Sequence, residues 1–132
     1  MKKYLLDTSI CVALFRGNRT VNEKLNAVGK NRCYVNDVVV AELIIGAYKS
    51  DRPKENLEEI ASFVSEVKVI PFAETMHVFA QERVRLWDTG KKIEDFDLLI
   101  GCAAKAKGYI MVTHNVSHFE HIEGIEIEDW VK

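Results

Sequence analysis

The sequence has few cysteines and no long uncharged apolar segment. Its three cysteines, Cys11, Cys33 and Cys102, are odd in number, far apart and set in apolar runs, which argues against a disulfide framework and against the close ligand spacing of a zinc site. We therefore expect reduced core cysteines in a cytoplasmic protein. No run approaches the roughly 18 apolar residues of a membrane helix, and Met1-Lys2-Lys3 leads into a short strand rather than the apolar core of a signal peptide.

The sequence also lacks an excess of either charge. Eighteen basic and 20 acidic residues give a net charge of −2, so a nucleic-acid site would need a local basic patch or metal ions that neutralise phosphates. Linkers, repeats and low-complexity segments are absent as well. The length of 132 residues predicts one domain, residues 1–132, with a single core that needs no disulfide bonds or structural metal ions.

Short apolar runs alternate with segments of helical periodicity along the chain. Strands are predicted at residues 4–6, 33–35, 67–70, 109–113 and 125–127, and helices at 8–15, 20–28, 38–48, 53–64, 73–89 and 95–107. This alternation is typical of βαβ units and predicts an α/β fold with a mostly parallel central sheet. In such sheets, ligands bind beyond the carboxyl ends of the strands.

Local signals predict the details of several helices. We expect Thr8 or Ser9 to cap the first helix and Asp37 to cap the third, since short polar side chains are favoured there. Asp95 is the expected cap of the last helix. Trp87 recurs at helical spacing with Val84 and is therefore predicted to be a core residue.

Three carboxylates have no partner within their own segments. Glu42 and Asp97 each stand in an apolar helical run without a lysine or arginine at pairing distance, and Asp7 directly follows the first strand. An unpaired carboxylate against a core costs several kcal/mol or loses its charge, so three of them suggest a shared cation. Ligands that offer only oxygen favour magnesium or manganese.

The alternative is that each acid is a helix cap or a partner in a tertiary salt bridge, as Asp7 and Asp97 could be at helix N-termini. His114, His118 and His121 have a ligand-like spacing, but no cysteine or acid stands at a matching spacing, so the sequence favours exposed or loop-satisfied histidines. The segment Asp7-Thr8-Ser9 is faintly similar to aspartyl-phosphate phosphatases but lacks their second aspartate.

Four segments together resemble the PIN domain. They are residues 5–9, 40–46, 97–104 and 112–115, the last followed by Phe119. The length and the closing Glu128-Asp129-Trp130 are similar to those of the VapC-type toxins of prokaryotic toxin–antitoxin pairs. The resemblance implies a three-layer α/β/α fold and a magnesium- or manganese-dependent endoribonuclease. It also implies a cognate antitoxin that blocks the site, and a homodimer.

The resemblance assigns catalytic and metal-binding roles to Asp7, Glu42 and Asp97. Thr8, Ser9, Thr113 and Asn115 are expected to support them through hydrogen bonds. Two residues depart from the family pattern: Ser9 replaces a frequent asparagine, and Asn115 stands where many relatives have a fourth acid, so only three carboxylates remain.

The resulting hypothesis is hydrolysis of RNA by a magnesium-activated water, with Asp7 and Asp97 holding the ion and Glu42 orienting the water. Cations that could contact RNA are Arg16, Arg19, Lys91 and Lys92, and Arg83 and Arg85 form either a phosphate patch or a solvated helix end. A PIN nuclease of RNA processing, a non-catalytic PIN-like binding module and a small metal phosphatase remain the alternatives.

Overall fold

The structure, a computed structural model, describes residues 1–132 and contains one five-stranded sheet. Its strands are β1 (Tyr4–Leu6), β2 (Cys33–Asn36), β3 (Lys68–Ile70), β4 (Ile110–Val112) and β5 (Ile127–Glu128). Every neighbouring pair is parallel, and the order is β3-β2-β1-β4-β5. The predicted parallel sheet is confirmed, and β1, at its centre, is buried over its whole length.

Six α-helices accompany the sheet and complete the three-layer α/β/α fold. They are α1 (Thr8–Phe15), α2 (Arg19–Val28), α3 (Asp37–Tyr48), α4 (Pro53–Glu66), α5 (Met76–Thr89) and α6 (Asp95–Lys107). Short 3-10 turns occupy Lys30–Arg32, Phe72–Glu74 and Val116–His118. None of these helices combines the length and the apolar character that crossing a membrane would require.

The helix caps lie one or more residues before the predicted positions. Asp7, not Thr8 or Ser9, caps α1 by accepting a hydrogen bond from the backbone N–H of Ile10. Asn36 likewise caps α3 in place of Asp37. In both cases the last residue in extended backbone before the helix supplies the oxygen, because its side chain points toward the free N–H groups of the first turn.

Helix α5 differs from its prediction at its start and on its inner face. Residues Phe72–Glu74 form a separate 3-10 turn, so the α-helix begins at Met76. The prediction that Trp87 is a core residue is wrong, because its side chain is 70% exposed, whereas Glu82 and Leu86 are buried. The helical spacing of apolar residues therefore predicts the wrong buried face for α5, because the face that packs on the core carries Glu82.

The core contains all three cysteines, each with a free thiol and each fully buried. Burial raises the pKa of the Cys11 thiol well above its ordinary range. The prediction of reduced core cysteines agrees with this arrangement, because a buried thiol in apolar surroundings is chemically inert.

Candidate active site

The sheet brings Asp7 and Thr113 together although they are far apart in the chain. Each follows the last residue of a strand, and β1 and β4 are parallel neighbours, so both reach the same carboxyl edge. The backbone N–H of Asp7 donates to the carbonyl oxygen of Val112 at 3.0 Å. The hydroxyl of Thr113 donates to Asp7 Oδ2 at 2.6 Å.

The carboxylate of Asp7 is buried and accepts several hydrogen bonds. Oδ1 accepts from the hydroxyl of Ser9 at 2.6 Å and from the N–H of Ile10 at 3.0 Å. Burial raises the pKa of Asp7 above its ordinary value; hydrogen bonds from Ser9, Thr113 and Ile10 oppose the rise, and the charge of Asp97 adds to it. Asp7 therefore caps a helix and also lies close enough to Asp97 to be repelled by it.

Two further hydrogen bonds join this group to the loop after β4. The N–H of His114 donates to the Ser9 hydroxyl at 3.2 Å, and the N–H of Asn115 donates to the Thr113 hydroxyl at 2.9 Å. The Asn115 contact uses its backbone, and Asn115 itself is exposed. The hydroxyls of Ser9 and Thr113 thus connect the buried carboxylate of Asp7 to the loop at the edge of the sheet.

Glu42 joins the same group through Thr8. The hydroxyl of Thr8 donates to Glu42 Oε1 at 2.6 Å, and Oε2 has no hydrogen-bond partner within the protein. Glu42 is half-buried on α3, and it lines a groove between α1, α3 and α4 together with Arg16 and Gly46. Its helical neighbour Ile45 is 54% exposed, so the apolar surroundings predicted for Glu42 hold on one side of the helix only.

Asp97 lies in the first turn of α6, and its one hydrogen-bond partner is a histidine. His118 Nδ1 is 3.1 Å from Asp97 Oδ2, while Asp97 Oδ1 has no partner within the protein. Burial raises the pKa of Asp97, and the contact with His118 opposes the rise. The sequence favours an exposed or loop-satisfied His118, and the side chain is exposed; its contact with Asp97, 21 positions away, has no local pattern that could predict it.

The three acids are only partly gathered. No group of three or more His, Cys, Asp or Glu side chains is arranged as a ready-made metal site. Hydrogen bonds instead join Asp7 to Ser9 and Thr113 and, separately, Glu42 to Thr8, the residue after Asp7, while the charge of Asp97 acts on the pKa of Asp7. No lysine or arginine forms an ion pair with Asp7, Glu42 or Asp97.

Glu82 shows how this chain treats an acid whose role is structural. It is 3% exposed, and it pairs with Arg85 at 2.7 Å and Lys105 at 3.2 Å. Burial alone would raise the pKa of Glu82, but Arg85, the N–H of Glu123 and Lys105 together lower it to about 2. Sequence reasoning missed Glu82, although Arg85 three residues on was a local signal for a pair.

The contrast with Glu82 provides a test of whether the site fits a cation. Asp7 and Asp97 have raised pKa values and no lysine or arginine partner, so a divalent ion would offset the charge of Asp97 that adds to the rise at Asp7. The carboxylates of Asp7, Glu42 and Asp97 and the hydroxyls beside them offer oxygen ligands, which suit magnesium or manganese rather than zinc. The residues present therefore fit the metal that the fold family implies.

Comparison with known families agrees with this fold and this set of residues. The model of the PIN domain family matches residues 4–125. The chain therefore belongs to the PIN domain family. The segments that carried the resemblance in the sequence lie within this match, and the family prediction is confirmed.

Individual relatives show which type of PIN-domain protein this chain resembles. The chain is 35% identical to the tRNA(fMet)-specific endonuclease VapC of Shigella flexneri over 98% of this chain and 99% of the relative. DNA-bound VapBC from Salmonella typhimurium matches with a TM-score of 0.91 and 32% identity over 98% of this chain and 99% of the other. Promoter-DNA-bound VapBC2 from Rickettsia felis matches with a TM-score of 0.88 and 31% identity over 96% and 98%. These matches show a VapC-type endoribonuclease, the toxin of a toxin–antitoxin system.

Proposed function

We propose that this endoribonuclease cleaves RNA at the carboxyl edge of the sheet, with a divalent metal ion held by Asp7 and Asp97 and with Glu42 acting beside them. The single observation that carries the proposal is a contrast in pairing. The buried acid outside this edge, Glu82, pairs with Arg85 and Lys105, whereas Asp7 and Asp97 have no lysine or arginine partner and have raised pKa values.

Within this site the side chains have separate tasks. When bound, magnesium or manganese supplies positive charge for the phosphate and lowers the pKa of water. Asp7 is fixed by Ser9 and Thr113 and cannot rotate freely, so its carboxylate is oriented before any ligand arrives. Glu42 uses Oε1 to accept from Thr8, which leaves Oε2 to orient the attacking water and to accept its proton.

RNA reaches this edge along the groove that contains Glu42. Arg16 lines that groove and has no carboxylate partner, so it is the first candidate for a phosphate contact. Lys91 and Lys92 are also exposed and unpaired, whereas Arg19 already pairs with Glu23 at 3.0 Å. The relative from Shigella is named for its specificity for tRNA(fMet), and an initiator transfer RNA is therefore the first substrate to test.

The partners are a cognate antitoxin and a second copy of this chain. The solved structures that match at TM-scores of 0.91 and 0.88 are of VapBC proteins. Large apolar side chains are exposed on three helices, among them Ile45 and Tyr48 on α3, Val84 and Trp87 on α5 and Phe96 on α6. Exposed apolar residues in such number are typical of surfaces that become covered in an assembly.

The test is cleavage of a transfer RNA by purified protein with magnesium, with manganese, and with a chelator. We expect Asp7→Asn and Asp97→Asn to lower the rate by about a hundredfold or more, since each removes charge that no other side chain replaces. Asp95→Asn is the matched control, because Asp95 is exposed, belongs to the same helix as Asp97 and pairs with Arg83. Cleavage that survives the chelator, or wild-type rates in either aspartate variant, would contradict the proposal.

A test in cells addresses the toxin role. Expression of the wild-type chain should arrest growth, and co-expression of its cognate antitoxin should relieve the arrest. The Asp7→Asn variant should accumulate without arrest, because it folds but does not cleave. Arrest by this variant would show that toxicity does not come from RNA cleavage.

A further inference from the structure

We infer that His118 is a positioning residue that orients the carboxylate of Asp97 toward the metal, and that the segment after it is anchored on α6 and α5 for this purpose. The inference rests on the proposed function and assigns a role to a side chain that the predicted acids do not include. The contact itself is direct, with 3.1 Å between His118 Nδ1 and Asp97 Oδ2. A carboxylate oxygen only accepts hydrogen bonds, so Nδ1 carries the proton and donates it.

The donor is placed so that one oxygen of Asp97 is held and the other stays available. Oδ2 accepts from His118, whereas Oδ1 has no partner within the protein. A lysine or arginine at this point would neutralise the carboxylate and compete with a cation. Imidazole fixes the rotation of the carboxylate with a hydrogen bond and, when neutral, leaves its charge for the ion.

The first anchor of the His118 segment is a glycine on α6. Phe119 and Ile122 are buried, and both pack against the backbone of Gly101. A Cβ atom at Gly101 would collide with Ile122 Cδ1 and come within 3.1 Å of Phe119 Cδ1. Gly101 stands four residues after Asp97, one turn along the same helix face, so the packing that needs this glycine also brings His118 to Asp97.

The second anchor is the buried Glu82. Its Oε2 accepts from the N–H of Glu123 at 2.7 Å, and Arg85 donates to the carbonyl oxygen of His121 at 2.7 Å. Both contacts fix the backbone a few residues after His118. The segment is therefore held to α5 by the Glu82–Arg85 pair and to α6 at Gly101, and His118 lies over Asp97 as a consequence.

The test measures metal affinity directly, apart from RNA cleavage. Binding of Mn²⁺ to the purified full chain is titrated by electron paramagnetic resonance for wild type and for His118→Ala, His118→Asn and His121→Ala. We expect His118→Ala to weaken Mn²⁺ binding by about tenfold or more, as is usual when the residue that orients a metal ligand is removed. His118→Asn should recover most of the affinity, because the amide nitrogen of asparagine can occupy the position of Nδ1.

His121→Ala is the matched control, since this histidine lies in the same segment, is exposed, and contacts other residues only through its backbone carbonyl. It should bind Mn²⁺ like wild type. The inference would be overturned if Asp97→Asn loses Mn²⁺ binding but His118→Ala binds Mn²⁺ like wild type. It would also be overturned if His118→Asn binds Mn²⁺ as weakly as His118→Ala. Failure of the wild-type chain to bind Mn²⁺ would instead overturn the proposed function, and the inference with it.

Unfolding temperatures of the same variants separate positioning from folding. The His118 side chain is 53% exposed, so its removal should leave the stability of the metal-free protein within about 0.5 kcal/mol. A large loss of stability that accounts for the loss of Mn²⁺ binding would assign His118 a structural role and overturn the inference.

Discussion

Thr113 donates a hydrogen bond of 2.6 Å to Asp7, although 106 residues separate the two in the chain. The contact exists because β1 and β4 are parallel neighbours, so that the residues after them meet at one edge. The same hydroxyl accepts from the N–H of Asn115, and it therefore fixes the acid and the following loop together. The proposed function of this edge depends on a buried acid, Asp7, that no lysine or arginine neutralises.

The first prediction concerns Asp7→Asn in metal-free protein. A raised pKa in the folded state means that this group contributes stability below its unfolded value of 3.8, and that the contribution is lost as pH rises through the folded pKa. Asparagine keeps the oxygen that caps α1 and never ionises. We therefore expect this variant to be more stable than wild type at neutral pH in a chelator, as measured by thermal unfolding.

With saturating Mn²⁺, thermal unfolding should instead show wild type to be more stable than Asp7→Asn, because only wild type gains stability from bound metal. The control is Asp88→Asn, an exposed carboxylate of α5 that should change stability by less than about 0.5 kcal/mol in both conditions. A lower stability of Asp7→Asn than of wild type in the chelator would show that the charge of Asp7 is already compensated.

The second prediction concerns Glu82 and the stability of the protein at acid pH. Its folded pKa of about 2 lies below the unfolded value of 4.5, so it contributes stability above pH 4.5 that is lost as pH falls toward 2. The full shift corresponds to roughly 3 kcal/mol, since one pKa unit is about 1.4 kcal/mol.

We expect Glu82→Gln to lower the free energy of unfolding at neutral pH and to flatten the acid limb, measured by urea titrations between pH 2 and pH 7. Glu74→Gln is the control, because Glu74 is a half-exposed partner of Lys107 and should contribute less than about 1 kcal/mol. An unchanged acid limb in Glu82→Gln would mean that another group dominates acid unfolding.

The third prediction compares two glycines inside helices. Gly101→Ala introduces a Cβ against Ile122 and Phe119, and overpacking of this kind costs about 1–3 kcal/mol. Gly46→Ala meets nothing within 4 Å on α3 and should stabilise the protein by about 0.5–1 kcal/mol through helix propensity. Urea unfolding of both variants distinguishes them, and destabilisation of equal size would show that packing at Gly101 is not special.

Local patterns of the sequence predict most of this architecture. Alternation of apolar runs and helical periods locates the strands, and the helices predicted to end at residues 28, 89 and 107 do end there, each followed by a glycine. Asp7, Glu42 and Asp97 could be selected as candidates because each lacks a local partner. The caps were wrong by a residue because the hydrogen-bonding oxygen belongs to the extended residue before the helix.

The remaining features depend on contacts that no local pattern encodes. Glu82 has a local partner in Arg85, but its second partner, Lys105, is 23 residues away, and the pattern of apolar residues favours Trp87 as the core residue of this helix. His118 meets Asp97 across 21 positions of the chain, beside the packing of Phe119 and Ile122 on Gly101. Such contacts become visible only when the helices are in place.

The last prediction concerns the exposed surface of α5. Trp87 is 70% exposed in the single chain, and an exposed tryptophan of this extent is typical of the anchors that carry the binding energy of an interface. We expect the wild-type chain to sediment as a dimer at micromolar concentration and Trp87→Glu to sediment as a monomer, because a buried unpaired charge is costly.

Asp88→Ala is the control for this surface, since it changes the neighbouring exposed residue without removing apolar area. Both variants should keep the unfolding temperature of the monomer, as neither side chain contributes to the core. A dimer that persists in Trp87→Glu would assign self-association to another surface. The exposed residues Ile45 and Tyr48 on α3 would then be the next to change, because they form a second group of large exposed apolar side chains.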